Sequence, residues 1–505
     1  DAFRPEWQRW ATFGLERTAA FDVDALASTR TVEFPVEAPA DCSAMFDVLT
    51  YQKGGALLRM LEQYLGEDQF RRGVSHYLSS HEYGNTETSD LWDRIEEVNP
   101  DTPVRALMDS WIWQPGYPLV SARLQGSELV LSQQRFAYGD TDDATLFVVP
   151  VHVTVDGVEQ KVLLDGPDAR LALPSPDSAV VVNAGGHGFM RVAYDDTLRA
   201  RLLGPGLAGL SVIERYNLVD DAWNEVVAGR LAAADYLTFV EGFADERDYA
   251  VWQVMMIGLR GLGRLLEGDA HAAFRSRVGA LVRPALADLG WAAQPGETDL
   301  RAKLRGVLAG ALAVLADDPD AQQRCRDVVQ QASPDPELFA AATNSIAAVG
   351  TATDYDAYLQ RFQTVENPQE QLRYLFALAE FPTRELVART IEMCFSGEVR
   401  TQDAPYLLNR CIGNRWQGEF AWQQVRQRWH EANEKFPGNS IGRMIDSVRL
   451  LNAPAVVADV QSFFAEHPIP QAGKSLDQVL ERQRTNAAML ARESERLSAA
   501  LSAAG

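Results

Sequence analysis

FDVLTYQKGGALLRMLEQYLG, residues 46–66, decides how the chain is read. Ala56 and Met60, with Leu57, Leu61 and Leu65, recur at three- and four-residue spacing, so the stretch predicts a helix with one apolar stripe. Asp47 or Thr50 can cap its start, and Gly66 stands where a left-handed stop is wanted. Gly54 and Gly55 each cost a helix about 1 kcal/mol against alanine. Two glycines side by side in a first turn imply that something comes close to the backbone there. Tyr51 sits at the entrance.

Outward from this helix, residues 1 to about 116 read as helical. The opening FRPEWQRWATFGLERTAAFDVDAL is rich in tryptophan, and a polar connection, 28–45, leads to the Tyr51 helix. Three more helices come after it. One runs from about 67 to 81 with Phe70, Val74, Tyr77 and Leu78 on one side. The next carries Leu91, Trp92, Ile95 and Val98. The last ends at Gln114-Pro115-Gly116-Tyr117-Pro118, where two prolines and a glycine forbid continuation. Residues 119 to about 194 switch to period two. LVSARL and ELVLSQQRF flank Gly126, and FVVPVHVTV and VEQKVLL flank Asp156-Gly157, a strong short hairpin signal. Short strands separated by turns predict a small β-sandwich. From about 197 the helical period returns. Ser211 and Glu214 form a capping box, and Asp318-Pro319, Asp335-Pro336 and Asn367-Pro368 open later helices. Short helices in successive pairs predict a stacked, HEAT-like array with a concave face.

TYQKGGALLRMLEQYLG, the "W, Q, GYP" exit at 113–118, and Asn183 followed by Gly188, Phe189, Arg191, Val192 and Tyr194 resemble the aminopeptidase N-like zinc metallopeptidases, the gluzincin aminopeptidases. A late segment, APYLLNRCIGNRWQGEFAWQQVRQRW, is similar to that family's "IGRN…AW…W" stretch, with asparagine and arginine exchanged at Asn414-Arg415. The resemblance covers essentially the whole chain. It implies the helical remainder of a thermolysin-like catalytic domain at 1–117, a β-sandwich at 118–196 and an α-α superhelical domain at 197–505. It further implies zinc-dependent removal of N-terminal residues from oligopeptides. Tyr51 would then give a hydrogen bond to the tetrahedral intermediate, as a phenol is a donor at neutral pH. Arg415 would receive a peptide carboxylate through its guanidinium fork.

The family's HExxH helix is not in this sequence. Among the seven histidines, His76 and His81 are five apart, which turns them roughly 140° from each other on a helix. His430 and Glu434 share a face without a third ligand, His152 is expected on the solvated outer face of a strand, and His187 has no nameable partner. The chain opens on Asp1 and reads as the C-terminal portion of a longer enzyme, inactive alone, whose N-terminal part would be its partner and supply the zinc ligands. The alternative is a non-catalytic peptide-binding or scaffold module built on the sandwich and the helical repeats.

Composition sets outer bounds. The 505 residues are 46% hydrophobic, too many for one core. Seventy acidic against 47 basic residues, a net charge of −23, argue against nucleic acid as a partner. No apolar run is long enough to span a membrane, so no membrane partner is expected. Four scattered cysteines, Cys42, Cys325, Cys394 and Cys411, without a CxxC pair, suit a reduced, cytoplasmic setting.

Overall fold

The structure, a computed structural model, describes residues 3–36, 45–139, 141–469, 472 and 474–503. Residues 37–44, and with them Cys42 and part of the 28–45 connection, lie outside the described residues. The chain is mainly helical with one small β-sandwich, and it divides into two compact units, Asp1–Ala228 and Gly229–Gly505.

In the first unit, α1 (Arg9–Asp24) is followed by a π-helical turn, Leu49–Lys53, that runs directly into α2 (Gly54–Leu65). Ala56, Leu57, Met60 and Leu61 are buried as the stripe requires, and Gly66, at φ +91°, ends the helix. Next come α3 (Glu67–Ser80), α4 (Thr88–Glu97) and α5 (Val104–Ile112). Gly73 is the fully inward residue of α3, because Ile95 of α4 would lie 2.9 Å from any Cβ there. Leu78, expected on the packed side, is exposed, since α3 approaches its neighbour through that glycine and not through a broad apolar face.

The sandwich has β1 (Pro118–Gln125), β2 (Glu128–Arg135), β3 (Val149–Val155), β4 (Val158–Leu164), β5 (Asp168–Ala172), β6 (Val180–Val182) and β7 (Arg191–Tyr194). One sheet runs β5-β2-β1-β7, the other β4-β3-β6. Asp156 and Gly157 both have positive φ, 49° and 81°, which makes the β3–β4 connection the tight hairpin turn expected. Val149, Val151, Val153 and Val155 alternate inward and meet Leu129 and Leu131 of the other sheet.

The GFxRVxY residues are structural joints. Gly188 fits under Met190 and the Asn183 side chain, whose Oδ1 accepts from Gly188 N at 2.8 Å. Tyr194 Oη accepts from Val182 N and donates to Val182 O, at 2.8 and 3.0 Å. Arg191 is fully buried between the rings of Phe21, Tyr117 and Phe136 and pairs with Asp220 (2.9 Å) and Asp221 (3.0 Å). Those carboxylates stand on α7 (Val212–Val227), after the short α6 (Asp196–Leu202). The capping box of Ser211 and Glu214 opens α7.

The second unit is entirely helical among the described residues. It begins with α8 (Ala233–Glu241), α9 (Tyr249–Gly263), α10 (Gly268–Leu289) and α11 (Asp299–Gly310), the last prolonged by a second π turn, Ala311–Leu315. Then come α12 (Pro319–Val329) and α13 (Pro336–Val349), capped by the side chains of Asp318 and Asp335. Later helices pack on their sequence neighbours. The final 30-residue helix, Lys474–Ala503, turns back onto α8 and α10. Its buried Glu493 accepts from Ala233 N at 3.0 Å, so the end of this unit is tied to its beginning.

Candidate functional site

Tyr51 sits in the middle of the Leu49–Lys53 π turn and is 57% exposed. Among the described residues its ring neighbour is Phe46, at 6.2 Å between centroids. The turn is gripped on both sides. Asp47 Oδ1 accepts from Leu49 N at 2.9 Å and Thr50 N at 3.0 Å, and both its oxygens take the Arg30 fork. Arg30 also donates to Thr50 Oγ1 (2.9 Å) and lies over the Phe34 ring.

On the other side Lys53 is turned fully inward. Its Nζ meets Asp24 at 2.8 Å and donates to Gly116 O at 3.0 Å. Asp24 also receives Gly116 N (2.9 Å) and Thr29 Oγ1 (2.7 Å), so α1, the Tyr51 turn and the glycine-proline exit meet at one buried ion pair. Burial draws the Lys53 ammonium down and Asp24 pulls it back up, with burial the larger effect. Positions 51 and 53, about 200° apart on a helix, face opposite ways, Lys53 into the core and Tyr51 out.

The glycine pair has a protein-internal explanation. Phe13 Cζ would stand 3.4 Å from a Cβ at Gly55, while Gly54 has only an ordinary contact with Val32. The close approach expected there is therefore made by α1.

Arg415 lies in the second unit, in the wall of a cavity of about 560 Å³. Asn414 sets it there. The amide of Asn414 donates to Ala379 O and Phe381 O and accepts from Trp416 N and Gln417 N, which fixes the turn after Gly413. Arg415 donates to Leu266 O at 3.2 Å and lies 4.7 Å above the half-exposed Trp416 ring. The cavity also exposes Arg260, Arg264, Arg275 and Lys303, against the acids Asp317, Glu337 and Glu380. Arg264 is held by Gly413 O (2.6 Å) and Arg275 by Asp317 (2.9 Å).

This accumulation of positive charge is felt. Burial, then Arg264 and Arg275, brings Arg415 down to about 10. Burial, then Arg415 and Arg275, takes the His271 imidazole down to about 4. Sequence reasoning missed the cluster around Arg415. The signal was there as paired basic positions four apart, Arg260 with Arg264 at the end of the apolar α9 and His271 with Arg275 on α10.

His152 and His187 are both packed against neighbouring side chains. His152 is not solvated as expected: Tyr64 of α2 stacks edge-on against it at 5.9 Å, and its Nδ1 meets Glu159 Oε1 at 2.6 Å. His187 does have partners, the Trp10 ring and the Arg59 guanidinium, and burial with that charge takes it down to about 3. His430 and Glu434 stand 3.2 Å apart on an exposed face. Among the described residues no three His, Cys, Asp or Glu side chains converge to hold a metal ion. These residues do not fit a zinc ion.

Comparison with known proteins matches residues 1–111 to the Peptidase family M1 domain and residues 179–485 to the ERAP1-like C-terminal domain. Aminopeptidase M1-C of Oryza sativa subsp. japonica is 30% identical over 517 residues, covering 96% of this chain and 58% of its own length. Aminopeptidase M1 of Arabidopsis thaliana is 30% identical over 525 residues, covering 96% of this chain and 59% of its own. Tricorn protease-interacting factor F2 of Thermoplasma acidophilum is 30% identical over 426 residues, with 84% and 52% covered. The chain thus spans 58–59% of the length of the two plant relatives. A model covering residues 179–485 matches more than half of the chain, the M1 domain model matches ahead of it, and the chain belongs to the M1 aminopeptidase family.

Proposed function

We propose that this chain is the portion of a zinc aminopeptidase that carries the oxyanion donor, the β-sandwich and a HEAT-like helical domain, and that the enzyme releases N-terminal residues from oligopeptides. The observation that supports this most is the placement of Tyr51: an exposed phenol projecting from a turn anchored on both sides by ion pairs. When water adds to a scissile amide, the carbonyl oxygen becomes an oxyanion. A fixed O–H donor aimed at it binds that state more strongly than the substrate. The phenol keeps its proton and lends only the hydrogen bond. Zinc ligands would come from residues outside this chain.

Arg415 and the cations around it take the other end of the peptide. A carboxylate entering a cavity lined by Arg260, Arg264 and Lys303 exchanges hydration for charge-assisted hydrogen bonds. A cytoplasmic location fits the three described cysteines, which are free and buried. No described helix is long and apolar enough to cross a membrane.

The test is to read the coding sequence upstream of Asp1 and assay the protein that includes it. The proposal expects an HExxH helix there and stepwise, chelator-sensitive release of N-terminal residues. No HExxH, together with peptide binding but no cleavage, would favour the peptide-binding module, which the complete cavity of the second unit would serve by itself.

A further inference from the structure

The Tyr51 ring is more than half exposed, and no hydrogen bond to its hydroxyl occurs among the described residues. Its direction is therefore set by the backbone beneath it. On the side that precedes Tyr51, that backbone is held at Asp47. Leu49 N and Thr50 N both donate to Asp47 Oδ1, Tyr51 N donates to Asp47 O at 3.2 Å, and the Thr50 hydroxyl is held by Arg30. Arg30 in turn is fixed by donation to Thr31 O (2.7 Å) and Val32 O (3.1 Å), and its side chain is only 8% exposed.

We propose that Asp47, clamped by Arg30, is the positioning residue for Tyr51: it sets the pitch of the π turn, and so where the phenol points. The catalytic consequence rests on the reading of Tyr51 given above, while the positioning itself does not. Two features separate this from a general structural role. Asp47 is one-third exposed and belongs to no part of the core, and the far end of the turn, where α2 begins, is anchored separately by the buried Lys53–Asp24 pair. Losing the Asp47 clamp should loosen the turn and leave α2 in place. A misplacement on the order of 1 Å at a reacting group lowers turnover by up to about 100-fold.

The experiment has two arms. In the 505-residue chain, 3-fluorotyrosine at position 51 reports the ring by fluorine NMR. A single resonance distinct from that of the free amino acid is expected for the parent. Asp47→Ala and Arg30→Lys should move it toward the free position or split it. Asp47→Asn, whose amide oxygen still accepts from Leu49 N and Thr50 N, should retain much of the parent signal. An Asp47→Ala spectrum identical to the parent overturns the inference.

In the longer enzyme, Asp47→Ala should lower kcat about 10- to 100-fold with KM nearly unchanged, and should lower it no further once Tyr51 is phenylalanine. An equal loss in the Tyr51→Phe background means that Asp47 acts through something else and also overturns the inference. If Tyr51→Phe alone leaves kcat unchanged, the oxyanion reading falls, and the fluorine spectra still decide the positioning.

Discussion

Among the described residues two π turns, Leu49–Lys53 and Ala311–Leu315, use the same irregularity in opposite ways. At Leu49–Lys53 the charges beside the turn are spent inside the protein, Lys53 on Asp24 and Arg30 on Asp47, and the group left facing out is a lone phenol. At Ala311–Leu315 the turn itself is apolar, with Ala311, Leu312 and Ala313 buried. Ala313 O there takes Gln322 Nε2 at 3.0 Å. The second turn leads into charge, with Asp317 at φ +53° pairing with Arg275. The cavity beside it keeps Arg260 and Lys303 in its wall. In each place the neighbours of the turn decide whether it presents a single donor or borders a charged wall.

The largest effect that would sharpen this contrast comes from Lys53. Its replacement by methionine leaves Asp24 buried and uncompensated, which should destabilise the first unit by roughly 3–5 kcal/mol. Urea denaturation followed through the tryptophans measures this. A loss below about 1 kcal/mol would mean that the pair does not anchor the turn.

Arg415→Ala comes next. It should weaken binding of an oligopeptide with a free C-terminal carboxylate about tenfold, and leave the C-terminally amidated peptide unchanged. Calorimetry on the 505-residue chain reads it directly. Equal weakening for both peptides would remove the carboxylate from the account.

A pH effect is expected from His271. Its folded value, about 4, lies below the ordinary 6.5, so the unfolded chain takes up the proton first. The stability it contributes is complete above about 6.5 and is lost as pH falls toward about 4. His271→Gln should flatten that slope in denaturation curves taken at successive pH values. Smallest of all, Gly55→Ala should be close to neutral. The helix gains up to about 1 kcal/mol in propensity, and the Phe13 ring must yield slightly at 3.4 Å.

Much of the fold was legible because turn chemistry is local. Gly66, Asp156-Gly157, the Ser211–Glu214 box and Asp318-Pro319 each end or open an element where the residues alone said so. The π turn was not legible, since a helix and a π turn ask the same apolar periodicity of the residues after them. Lys53 and Asp24 are 29 positions apart and look like two surface charges until the fold joins them. His152 misled for a related reason: alternation along β3 was right, but Tyr64 from a distant helix covers the face that alternation assigns to water. Tyr51 and Arg415 were singled out from the resemblance. Neither composition nor spacing marks them, because exposure and a cavity are properties of the folded chain.

The claim on which the account turns is that the Tyr51 hydroxyl acts only as charge develops on the scissile carbonyl oxygen. Steady-state kinetics of Tyr51→Phe in the longer enzyme test it most directly. The account predicts that kcat falls by about two to three orders of magnitude, with KM and thermal stability close to the parent's. A raised KM with kcat unchanged would contradict it, because the hydroxyl would then be binding substrate and transition state alike.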